Sequence, residues 1–178
     1  IIYGMGLART KGDRWVISTK DETRQAIVDI VNEASWKLSI CTRDLEVGVY
    51  DHPDFLQALT QLVLSQTYVR IRILIATPPS SIKYDNAFIE LGRRLRGYIE
   101  FRHLPEELWA DAETFCLADD FGVAYRLRED SWNGIVDTYE PPVAKLYGDL
   151  FTNLWAKSDT TSDLPHLSIH EASELGYQ

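Results

Sequence analysis

The chain has 178 residues, 45% of them apolar and 25% charged, which suits one globular domain with a full core and leaves little room for two. Acids outnumber bases 27 to 18, a formal net charge of −9, so bulk DNA would meet net repulsion unless the basic side chains cluster. No apolar run approaches the ~20 residues of a membrane-spanning helix, and Ile1 to Thr10 carries neither a signal-peptide pattern nor an initiator methionine, as expected of a tag remnant or a segment of a longer protein.

Thr19 and Glu22 form a capping box, and Ala26, Ile27, Ile30, Val31 and Ala34 follow at helical spacing, which predicts a helix from about Asp21 to Ser35. A strand over Lys37 to Thr42 leads into the charged stretch Arg43-Asp44-Leu45-Glu46. Asp51-His52-Pro53 starts a second helix, buried through Phe55, Leu56, Leu59, Leu62 and Val63. Val69 to Ala76 reads as a strand, broken by Thr77-Pro78-Pro79-Ser80-Ser81. A third helix is predicted over Lys83 to Arg96, with Tyr84, Phe88, Leu91 and Leu95 on one side and Gly97 just past its end.

Tyr98 to Arg102 is a short strand, and Pro105 to Asp111 a loop or short helix. Glu113 to Ala118 and Phe121 to Leu127 are two strands about a turn at Asp119-Asp120, which is turn chemistry rather than a metal-binding carboxylate pair. A strand over Gly134 to Tyr139 precedes a last helix that buries Val143, Leu146, Leu150 and Leu154 and ends near Lys157. From Ser158 to Gln178 the chain becomes linker-like and acidic. Alternation in the first half predicts parallel strands with crossover helices, and the later run of strands a mixed sheet. The expected fold is an α/β sandwich with a mixed, mostly parallel sheet flanked by helices, in one domain over residues 1–157 with an acidic extension over 158–178.

Cys41 and Cys116 each sit in an apolar strand-like run, which predicts two buried free thiols in a reducing, cytoplasmic setting. They could pair only if their strands are neighbours. Neither has a second Cys or a His at ligand spacing, so no metal site and no cofactor is expected.

Several strings in this order resemble one half of the phospholipase D superfamily. Residues Asp29 to Ile40 are similar to its opening helix and strand, and Phe55 to Ala76 to the next pair. Phe115 to Ala124 resembles the strand, aspartate turn and strand that carry the catalytic motif, and Ser131 to Val136 with Pro142 to Trp155 its closing strand and helix. The resemblance spans about Asp21 to Lys157. It implies the sandwich just described and, in active members, a His-x-Lys-x4-Asp motif: a His that attacks phosphorus and a Lys that holds the phosphate charge.

That motif is absent. His52, His103, His166 and His170 are followed two residues on by Asp54, Pro105, Ser168 and Ala172. Placing Asp119 at the motif aspartate puts Ala112 where the His should be and Thr114 where the Lys should be, and a shift to Asp120 gives Glu113 and Phe115. Arg126-Leu127-Arg128 replaces the family's polar Gly-Ser stretch.

The strand ends that would line the family's cleft supply Arg43, Asp44, Glu46, Asp111, Glu113, Arg126 and Arg128. They are candidates for holding a small polar or anionic ligand, the arginines reading a carboxylate, phosphate or sugar hydroxyl, against the plainer reading of a salt-bridge network. Val69 to Arg102 carries seven bases and three acids, and His103 to Tyr125 six acids and no Lys or Arg, so the two spans could face one another, within the fold or across a dimer. Nucleic-acid contact is the sharper reading of the basic span, and a polar helix face the better one. Trp109, Trp132 and Trp155 could stack a sugar or base, but core filling is the commoner use.

The expected function is a catalytically silent phospholipase D-like domain that binds a ligand or a partner protein. Resemblance to the effector domains of some archaeal sugar-responsive regulators implies sensing, and half-domain members of the family imply a homodimer. Two alternatives stand: a phosphodiesterase or nuclease whose cleft borrows His103, His166 or His170, and a dimeric assembly module without a ligand.

Overall fold

In a computed structural model, the structure describes residues 12–83, 85–128 and 130–159. Tyr84, most of the acidic extension, His166 and His170 therefore lie outside the described residues. The elements run β1 (Arg14–Ile17), α1 (Lys20–Glu33), β2 (Lys37–Thr42), α2 (Pro53–Ser65), β3 (Arg70–Ile75), α3 (Ala87–Arg94), β4 (Ile99–His103), β5 (Phe115–Ala118), β6 (Gly122–Arg126), β7 (Gly134–Asp137) and α4 (Pro141–Ala156). Short 3-10 turns occupy Pro79–Ser81 and Glu106–Asp111.

Local chemistry sets the helix starts. Thr19 accepts the Glu22 amide at 3.1 Å, His52 Nδ1 the Asp54 amide at 3.1 Å, and Asn86 Oδ1 the Phe88 amide at 2.8 Å. The Asn86 cap explains why α3 begins at Ala87 and not at Lys83. Its other end comes early too, at Arg94, so Gly97 lies in the following turn.

The seven strands form one sheet in the order β1-β7-β6-β5-β2-β3-β4. Only β2–β3 and β3–β4 are parallel; β2–β5, β5–β6, β6–β7 and β1–β7 are antiparallel. The expectation of a mostly parallel sheet is therefore corrected: the sheet is mixed and mostly antiparallel. The reason is connection length, since the crossovers through α2 and α3 allow parallel pairing, whereas the short links after β5 and β6 allow only hairpins. Strand β1 was not expected, because Arg-Trp-Val-Ile is too short to show a period; it pairs Arg14 with Asp137 and Ile17 with Gly134.

Helices α1, α2 and α3 cover one face over a core that includes Ile30, Ile40, Phe55, Ile73 and Phe88. On that face α3 lies so close to β4 that a Cβ at Gly92 would run into the Phe101 ring. Helix α4 covers the other face, over Cys41, Leu74, Phe115, Leu117 and Val123, with Leu108 and Trp109 of the second 3-10 turn packed beside it. Cys41 and Cys116 sit on neighbouring strands but belong to opposite faces, which forbids a disulfide; both are free and buried. Burial pushes the Cys41 thiol up to about 12 and raises Cys116 as well, so neither is a ready nucleophile. No helix among the described residues is long and apolar enough to cross a membrane.

Candidate functional site

The parallel strands β2 and β3 end at one rim of the sheet, and β5 begins there. The loop leaving β2 turns through Leu45, whose φ of +58° is left-handed. Its side chain is fully buried, and that anchor sustains a backbone state costing a branched residue roughly 1–2 kcal/mol. The turn aims Glu46 back into the protein, where it forms a salt bridge with Arg126 at the end of β6. Both side chains are nearly withdrawn from solvent, Arg126 being 8% and Glu46 12% exposed.

Arg126 stacks over the Trp132 ring, 4.5 Å from its centroid. Tyr50 is buried beside the pair, and burial raises its hydroxyl pKa well above the ordinary value. Burial likewise pushes the Glu46 carboxyl up, and Arg126 pulls it back only in part. The cavity between them, closed by Tyr50, Thr114, Phe115 and Tyr125, measures about 10 Å³, room for about one water.

The seven candidate residues divide. Glu46 and Arg126 are brought together. Arg43 and Glu113 flank Cys41, which feels the charge of both, and Glu113 accepts a hydrogen bond from Tyr147, whose pKa is raised by burial first and by that carboxylate second. Asp44 is exposed beside Glu46. Arg128 leaves the group and pairs with exposed Asp130 at 2.8 Å. Asp111 ends its 3-10 turn exposed, with no hydrogen bond or ion pair among the described residues. Sequence reasoning missed Tyr50 and Thr114, and only the apolar company of Tyr50 could have signalled the first.

Asp119 is at the turn, as expected, with φ +55°, but it does more than turn. Its carboxylate accepts the amides of Ser35, Trp36 and Lys37 at 3.0–3.2 Å and the Ser35 hydroxyl at 3.0 Å. It thereby ties the β5–β6 hairpin to the entry of β2. Asp120 pairs with Lys37 Nζ at 2.6 Å. Among the described residues no three His, Cys, Asp or Glu side chains gather as a metal site.

His52 is a helix cap. His103 is buried at the end of β4, its Nδ1 3.3 Å from the Thr77 carbonyl, which places the proton of the neutral ring on Nδ1. Its buried Nε2 has no partner among the described residues. Burial lowers the His103 pKa from 6.5, opposed by the Thr77 carbonyl and by Asp159, whose backbone pairs with His103 at the sheet edge. Below the ordinary pKa the unfolded chain takes up a proton that the native ring refuses, so stability is expected to fall as pH drops through 6.5 toward the depressed value. Urea unfolding at stepped pH, compared with His103→Gln, checks this; a variant with the same slope across that window would remove His103 as the cause.

Solved structures share this architecture. The chain is similar to Nuc, a phospholipase D family member from Salmonella typhimurium, with a TM-score of 0.59 and 15% identity over 84% of this chain and 97% of that one. It is similar to NucT from Helicobacter pylori, with a TM-score of 0.58 and 12% identity over 84% and 99%. A third likeness, to the archaeal chromatin protein TrmBL2, has a TM-score of 0.60 and 15% identity over 90% of this chain but only 58% of that one. At such identities the likeness establishes the fold, which is phospholipase D-like. No curated protein matches the chain. One family model, described as Domain of unknown function (DUF7931), matches residues 19–167.

Proposed function

Since the chain belongs to the DUF7931 family, whose description carries no activity, its role must be argued from the rim of the sheet, and we propose that it is a noncatalytic phospholipase D-like domain that engages a partner protein, a second copy first of all. The carrying observation is the Glu46–Arg126 pair sealed beside Thr114. The cavity where the resemblance places a phosphate-holding lysine contains a threonine, about 10 Å³ of space and a guanidinium already held by a carboxylate.

Displacement at phosphorus needs a nucleophile within reach and a group to remove its proton. Among the described residues lining that cavity Glu46 is the one carboxylate, and Arg126 holds it. Ala112 packs against the apolar cluster under α4. Among the described residues His52 and His103 hydrogen-bond elsewhere, at Asp54 and Thr77. A small ligand would have to prise Arg126 from Glu46, because small-molecule sites span about 300–1,000 Å³. A partner needs no cavity. Val47 and Leu127, next to the two paired residues, are 69% and 61% exposed and would form an apolar rim about the sealed pair.

The test combines turnover with mass. The protein is expected to hydrolyse bis(p-nitrophenyl) phosphate and plasmid DNA no faster than buffer, and to sediment as a dimer that Val47→Asp with Leu127→Asp converts to monomer. Turnover lost on Thr114→Ala or His103→Ala would establish the rearranged-enzyme alternative instead. A monomeric wild type would remove the self-pairing part.

A further inference from the structure

A second concave site lies at the opposite end of the strands. Because side chains alternate along a strand, Arg70 and Arg72 of β3 point to the α4 face together. Parallel pairing sets Glu100 of β4 opposite Arg72 and Arg102 opposite Leu74. The turn into β4 adds Arg96, Gly97 and Tyr98, and these residues enclose an open cavity of about 330 Å³ with Arg70, Arg72 and Glu100 on its walls. At Gly97 a Cβ would meet nothing within 4 Å, so the mouth is clear.

The charges there do not balance. Arg102 takes Glu100 at 3.3 Å, donates to the Trp155 carbonyl at 3.1 Å and stacks on that indole at 4.2 Å. Glu100, the single acid on the wall, is thus engaged. Among the described residues Arg70, Arg72 and Arg96 form no ion pair or hydrogen bond, although Glu100 lies opposite Arg72 and acts on it at longer range, and the Arg72 Nε is buried without a partner. The Arg72 guanidinium is held in place by two rings, 5.1 Å from Phe151 and 5.3 Å from Trp155. A guanidinium fixed by stacking has lost little more freedom when it binds, which suits bidentate capture of an oxyanion. Burial first, then Arg70, lowers the Arg72 pKa, and Glu100 opposes them in part.

We propose that this cavity binds the phosphate group of a small phosphorylated ligand, with Arg72 as the preorganised fork and Arg70 and Arg96 as flanking cations. Three arginines lining one cavity offer several donors to a dianion, whereas a monocarboxylate would leave donors unused. The volume suits a ligand about as large as a nucleoside monophosphate. A concave pocket on a chain of net charge −9 favours such a ligand over a polyanion laid across the surface.

Titration calorimetry at low salt, on the full chain, tests the site with inorganic phosphate, a nucleoside monophosphate, acetate and a short single-stranded oligonucleotide. Saturable binding of both phosphates, weaker binding of acetate, and a loss of about tenfold or more in Arg70→Gln with Arg96→Gln are expected. Both residues are exposed, so the double variant should fold, with circular dichroism as the check. Arg94→Gln, which removes an exposed charge from α3 outside the cavity, should leave binding unchanged. No saturable phosphate binding, or equal weakening by Arg94→Gln, overturns the site. Tighter binding of the oligonucleotide than of the monophosphate, with steep salt dependence, overturns the small-ligand assignment.

Discussion

Replacing Glu46 alone with leucine is expected to lower the free energy of unfolding by about 3–5 kcal/mol, because it strands a buried guanidinium. Arg126 would be left over the Trp132 ring, with a side chain 8% exposed and without the Glu46 carboxylate. Adding Arg126→Met should restore most of the loss, since an apolar side chain of similar length packs on the indole and needs no counter-charge. Urea unfolding of wild type, both single variants and the double variant closes the cycle. A single variant within about 1 kcal/mol of wild type would mean that water reaches Arg126 and the pair is not sealed.

The same pair has a pH signature. The folded Glu46 pKa lies above its unfolded value of 4.5, so its contribution to stability is full below 4.5 and is lost as pH rises through the folded value. An ionised, buried Glu46 is thus a poor source of stability at neutral pH and a serious loss when removed alone. Both statements follow from desolvation outweighing attraction.

Asp119→Ala should cost about 2–4 kcal/mol, by a different route. The amides of Ser35, Trp36 and Lys37 and the Ser35 hydroxyl would lose their acceptor together. An alanine at φ +55° would add steric strain of about 1 kcal/mol, which Asp119→Gly avoids. Asp119→Asn keeps the φ preference and part of the acceptor capacity, so it should be the mildest of the three. Hydrogen exchange provides the decisive reading: the Trp36 and Lys37 amides should lose protection in Ala and Gly variants alike. If they stay protected, the clamp is not what holds the entry of β2.

Much of this was legible in the chain and some was not, for reasons that can be assigned. The Thr19–Glu22 box, the His52 start and the apolar helix faces are local patterns, and α1, α2 and α4 followed from them, although Leu146, expected on the buried face of α4, is exposed. Strand direction is not local. Phe115 to Ala118 reads the same whether β2 lies parallel or antiparallel to it, and that choice is made by the hairpin links and by the Asp119 clamp on residues 35–37. Glu46 and Arg126 both stood among the candidates, but no spacing rule joins residues 80 positions apart. The basic span was visible as seven bases between Val69 and Arg102. The strand register turns Arg70 and Arg72 toward α4, and with Arg96 they line the open cavity, where Glu100 is the one carboxylate among the lining residues.

Strand β1 adds a consequence in the time domain. It is made first yet docks on β7, and the flanking contact between Asp13 and Thr138 joins positions 125 apart. During synthesis β2, β3 and β4 with their crossover helices can assemble early, whereas Trp15 and Val16 must wait until Ile135 and Val136 have left the ribosome. This edge of the sheet is therefore expected to close late, through a long-range contact whose loop entropy slows it.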